Sequence, residues 1–96
     1  MEYYSNDELI TQEIALYKLS SKIFKESGTV DMIVREWSAR IIEMNPAYVV
    51  VEKTGTREEI ENMRTELESR GILIEFTRSG SVVLHREPNG NGLNEL

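Results

Sequence analysis

The sequence predicts an α+β domain, and three stretches carry that reading. Residues 56–70 have the start, stripe and stop of an amphipathic helix. Two apolar runs, 40–44 and 47–53, flank Asn45-Pro46, a dipeptide that continues neither a helix nor a central strand, so the runs are read as an antiparallel pair. Residues 72–77 set Ile72, Ile74 and Phe76 against Leu73, Glu75 and Thr77 with the period of two that a strand requires.

The helix over 56–70 is the best-defined element. Thr56-Arg57-Glu58-Glu59 fits a capping box, in which hydroxyl and carboxylate satisfy amides that the first turn leaves free. Ile60, Met63 and Leu67 form one apolar stripe, Glu66 is spaced to pair with Arg70, and Gly71 supplies a left-handed stop. A second helix is expected over about 29–38, where Val30, Ile33, Val34 and Trp37 recur at helical spacing after Thr29, a permissible N-cap. Arg78-Ser79-Gly80 reads as a turn with Gly80 at positive φ, leading into a further extended run, 81–86. Residues 7–26 fit two patterns. Ile10, Ile14, Tyr17 and Phe24 make a helical stripe that nothing between them breaks, whereas at period two Ile14 and Leu16 oppose Ala15, Tyr17 and Leu19; pattern alone favours the helix.

Composition narrows the function classes. With 96 residues there is one domain, and with no cysteine it has neither disulfides nor thiolate metal sites, which suits the cytoplasm. A net charge of −6 disfavours nucleic acid and anionic membrane surfaces, both of which are met by Lys and Arg. No apolar run approaches the roughly 20 residues of a membrane helix. Residues 1–11 and the turn-rich 88–96 are expected to be flexible ends around a domain over 12–87.

Several strands are apolar on consecutive positions: Ile41-Ile42, Val49-Val50-Val51 and Val82-Val83-Leu84. Both faces of the sheet then carry hydrophobic groups, and two helices cover only one. Val49, Val51 and Val83 are therefore candidate interface residues, and a homo-oligomer is expected.

The order of the motifs resembles the C-terminal domain of the regulatory small subunit of acetolactate synthase. Ala39 with Ile41-Ile42-Glu43, then Thr54-Gly55, then Glu75 with Arg78-Ser79-Gly80, Leu84 and Arg86 follow that family's pattern, and residues 12–19 resemble its first strand. Trp37 stands where the family usually has Phe, Glu43 where Asp is usual, and His85-Arg86-Glu87 where Ser-Arg-Gly is common. The resemblance resolves residues 12–19 as a strand and implies a ferredoxin-like βαββαβ sheet with two helices on one face. It also implies a non-catalytic regulatory or assembly module in branched-chain amino acid synthesis, partnered by the acetolactate synthase catalytic subunit or a separate ACT-domain protein. Nothing before Gln12 matches the ACT half that holds the family's effector amino acid, so sensing at that usual site is not expected of this chain.

Individual residues offer little chemistry. Thr54 and Gly55 precede the free amides of a helix start, and Arg78 with Gly80 offers a guanidinium beside a turn, so these four are weak candidates for holding an anion. His85 is the only histidine and has no metal set around it. The glutamates of 58–68 are first of all a solvated helix face. No catalytic constellation, metal site or cofactor is read. The alternatives are a free-standing amino-acid sensor and, last, a winged-helix DNA binder that uses 56–70 as recognition helix and 72–86 as wing, although that helix carries more acid than base.

Overall fold

A computed structural model of the chain describes residues 9–86. Strand β1 (Leu9–Ser20) runs into a 3-10 turn (Ser21–Lys25), then α1 (Thr29–Trp37), β2 (Arg40–Met44), β3 (Tyr48–Gly55), α2 (Arg57–Ser69), β4 (Leu73–Arg78) and β5 (Val82–His85). The sheet order is β2-β3-β1-β4, antiparallel throughout, with β5 also paired to β1. This is the expected ferredoxin-like arrangement.

One face of the sheet makes the core. Ala15, Tyr17 and Leu19 from β1 and Val49 and Val51 from β3 pack with Ile33 of α1 and Ile60, Met63 and Leu67 of α2, all essentially inaccessible. Each Val, Leu, Ile or Met among them contributes about 1.5–3 kcal/mol on burial. The alternative helical stripe in residues 7–26 is overruled: the period-two set Ala15, Tyr17 and Leu19 is the one buried, and Phe24 is exposed. Tyr17 lies at the centre, its hydroxyl donating to the Ile60 carbonyl oxygen at 2.7 Å and its ring 5.1 Å from that of Phe76.

The capping box of α2 forms as read. The Glu59 N–H donates to Thr56 Oγ1 at 3.1 Å and the Thr56 N–H donates to Glu59 Oε1 at 2.9 Å. At α1 the expected cap shifts by one residue. Gly28, at φ 82°, is the N-cap, and the Thr29 hydroxyl donates backwards to the Glu26 carbonyl oxygen at 3.0 Å instead of capping the helix. The left-handed glycine reverses the chain out of the 3-10 turn, a conformation that threonine adopts only at a steric cost.

The stretch around Arg78-Ser79-Gly80 does not reverse the chain. β4 and β5 run the same way along β1: Ala15 faces Arg78 and Gln12 faces Val82, so four steps on one strand span three on the other. The extra residue is a β-bulge, with Gly80 at φ 87° as expected and the Ser79 N–H donating to the Ile14 carbonyl oxygen at 2.9 Å. Residues 72–86 thus form a broken strand and not a hairpin, which removes the wing of the DNA-binding alternative. Beyond the bulge, residues Leu9 to Gln12 and β5 make a two-stranded ribbon that prolongs the sheet.

Candidate interaction face

Strand register decides which side chains face away from the helices. The core set on β1 is odd-numbered, so Ile10, Gln12, Ile14, Leu16 and Lys18 point to the other face. Their cross-strand partners point the same way: Thr54, Glu52 and Val50 on β3, Thr77 and Glu75 on β4, and Val82 and Leu84 on β5. β2 adds Arg40 opposite Glu52 and Glu43 opposite Val50. Among the described residues nothing covers this face.

It has an apolar strip with a paired polar margin. Leu84, Val82, Ile14 and Leu16 are 63%, 71%, 47% and 37% exposed, and with Ile10 and Val50 they follow one another from the ribbon to the middle of the sheet. A shallow depression of about 180 Å3 lies between Leu16, Lys18, Val50, Glu75 and Thr77. At the margin Arg40 meets Glu52 at 2.9 Å, the Tyr48 hydroxyl donates to Glu43 Oε2 at 2.7 Å, and the Lys18 ammonium sits 4.6 Å from the centre of the Tyr48 ring. On this face Arg40 and Glu52 are thus paired with each other, and Lys18 and Glu43 both meet Tyr48.

The interface candidates fall in two places. Val49 and Val51 are fully buried under the helices, so they are core residues and the expectation that they meet a partner is corrected. Between them Val50 takes the open face, since neighbours on a strand point to opposite sides. Val83 is half exposed but faces Thr11, on the reverse side of the ribbon from Val82 and Leu84. Ile41 and Ile42 are exposed for a different reason: β2 is an edge strand, bulged between Ile41 and Glu43.

The four weak ligand candidates are held by the chain itself. Gly55 is buried, and a Cβ there would strike the Glu59 carboxylate that closes the capping box. The amides beside Thr54 and Gly55 that an anion would need are thereby occupied by an internal one, and Thr54 is exposed on the open face. The Arg78 guanidinium lies on the helix side, 2.6 Å from Glu61 and 3.7 Å from Glu13, and Gly80 serves the bulge. Glu13, only 3% exposed, accepts from the Ser81 hydroxyl at 3.0 Å. Arg78 thus ties β1, β4 and α2 together, a role that spacing in sequence did not suggest. Among the described residues there is no group of three or more metal-ligating side chains, and no helix of the structure is long and apolar enough to cross a membrane. The clearest protonation shift is structural: burial, with Glu61 nearby, pushes the Tyr17 phenol well above its usual range.

Fold and face together define a two-layer α+β domain with one layer built inward and a flat, partly apolar face left for contact. The chain belongs to the family described as the small subunit of acetolactate synthase, whose model matches residues 12–87. It is 32% identical over 87 residues to the acetolactate synthase small subunit of Mycobacterium bovis, covering 91% of this chain and 51% of that protein. Against the small subunit of Mycolicibacterium smegmatis it is 30% identical over 86 residues, covering 90% and 49%. The chain therefore spans about half the length of the curated relatives it matches. The crystal structure of the Thermotoga maritima small subunit superposes with a TM-score of 0.73 over 84% of this chain and 48% of that one; at 22% identity this likeness shows the fold.

Proposed function

We propose that this chain is a non-catalytic regulatory module of acetolactate synthase, acting in branched-chain amino acid synthesis through contact with the catalytic subunit. The observation that carries this is the family match over residues 12–87, nearly all of the described domain. The open sheet face is consistent with it, because a surface of this kind is suited to protein contact and not to chemistry. In this reading the chain works as an oligomer in the cytoplasm, and a polypeptide bearing an ACT domain is a further partner.

The test is reconstitution. The purified chain alone should give no acetolactate from pyruvate. Mixed with its cognate catalytic subunit, it should co-purify and change turnover or feedback sensitivity. Absence of association and of any change in rate, with or without an ACT-domain partner, would refute the proposal.

A further inference from the structure

We propose that the cavity between the 3-10 turn and the end of α2 binds a phosphoryl group, as inorganic phosphate or a small phosphate monoester. The site stands apart from the open sheet face and does not rest on the function proposed above. It lies where β1 ends, at the point where the Ser20 N–H donates to the Ile72 carbonyl oxygen at 2.8 Å. The cavity measures about 420 Å3, with the buried Ile23 and Ile72 as its apolar floor and Lys22, Lys25 and Arg70 on its walls. In a 3-10 helix residues three apart eclipse, so the turn Ser21–Lys25 stacks Lys22 and Lys25 on one side while Ile23 is buried. Arg70, the C-cap of α2, enters from a different element, and Glu66 accepts from its Nε at 2.8 Å. That bond fixes the guanidinium and leaves its terminal nitrogens without a partner among the described residues.

The charge pattern is what points to an anion. Residues 9–86 carry twelve Asp and Glu against eleven Lys and Arg, so acid to pair with is not scarce. Arg40, Arg64 and Arg78 each meet a carboxylate, yet the Lys22 and Lys25 ammonium groups make no ion pair or hydrogen bond among the described residues. Three like charges around one hollow repel one another, and an anion placed between them offsets that repulsion. The number of oxygens selects the anion. A carboxylate offers two, which a single guanidinium satisfies side by side, whereas a phosphoryl group offers three, one for each cation that approaches. Glu26 also lines the cavity, pairs with none of the three cations and opposes any anion there. With that carboxylate present and the lysines exposed, inorganic phosphate should bind with a Kd of about 1 mM.

The test is a titration of the chain with inorganic phosphate at constant ionic strength, followed by backbone amide NMR. The amides of the 3-10 turn and of Arg70 to Ile72 should shift and saturate, and acetate should give no saturating shift. Lys22→Gln combined with Lys25→Gln should weaken binding by about tenfold or more, since two charge-assisted hydrogen bonds are lost. Glu26→Gln should tighten it, because the opposing carboxylate is gone. Arg57→Gln removes a cation at the opposite end of α2, about 20 Å away, and should leave the affinity unchanged. Should the double lysine variant fail to fold, the shift map with Glu26→Gln and Arg57→Gln still decides. Phosphate shifts that do not saturate or that centre on another surface, acetate binding as well as phosphate, or a folded double variant that binds like the wild type would overturn the proposal. So would Glu26→Gln weakening the binding, or Arg57→Gln weakening it as much as the lysine changes do.

Discussion

Gly55 and Glu59 show how closely single residues are fitted where β3 turns into α2. The glycine is buried because the Glu59 carboxylate fills the space a methyl group would take. Gly55→Ala should therefore displace Glu59 and open one half of the capping box, costing about 1 kcal/mol in denaturant melts. In a Glu59→Ala background the same change should cost almost nothing, and a full cost there would show that the contact lies elsewhere. Tyr17 is a second fitted residue. Tyr17→Phe removes the hydroxyl that donates to the Ile60 carbonyl oxygen and should cost about 1 kcal/mol. The phenol also links stability to pH. Its folded pKa is raised, so stability is fully present below the unfolded value of about 10 and declines as pH rises through it, by up to about 1.4 kcal/mol per unit. Tyr17→Phe should remove that part of the alkaline decline, and identical pH profiles for the two proteins would contradict the assignment. Thr56, Gly71 and the α2 stripe were legible in the sequence because caps and stripes are local. The Glu13, Arg78 and Glu61 cluster was not, because its members meet only after β1, β4 and α2 assemble.

At the scale of elements, local rules succeed where one pattern is available and falter where two overlap. β1 carries both a helical and an alternating pattern, and only the sheet on either side of it decides between them, since it pairs with β3, β4 and β5. Resemblance to a family reached the right answer where periodicity could not. The bulges at Ile42, Ile74 and Ser79 to Ser81 were invisible for the same reason, because a bulge is a property of two strands together. One of them gives a prediction. Arg78 emerges at the bulge between β4 and β5, and its guanidinium is the nearest cation to the buried Glu13 carboxylate. Arg78→Ala should cost about 3 kcal/mol, because it strands a buried charge. Arg78→Ala combined with Glu13→Gln should recover part of that loss. Equal stability of the single and double variants would mean that Arg78 acts through Glu61 alone.

At the scale of the molecule, runs of consecutive apolar residues on several strands correctly imply that the sheet has two faces with hydrophobic groups, but they do not say which valine looks which way. Parity settles that only once a buried neighbour is known. Tyr17 is buried and pairs with Val51, so Val51 and Val49 belong to the core and Val50 to the open face. Three adjacent substitutions then separate folding from assembly. Val49→Glu and Val51→Glu each place a carboxylate among residues with no measurable exposure, and neither variant should yield a cooperative melt at neutral pH. Val50→Glu faces outward beside Lys18 and Glu75, so it should melt within about 1 kcal/mol of the wild type. Its effect belongs to sedimentation instead, where the oligomer should dissociate at protein concentrations that leave the wild type intact. If Val50→Glu unfolded the chain while Val49→Glu and Val51→Glu were tolerated, the faces would be reversed and the helices would cover the side assigned here to the partner.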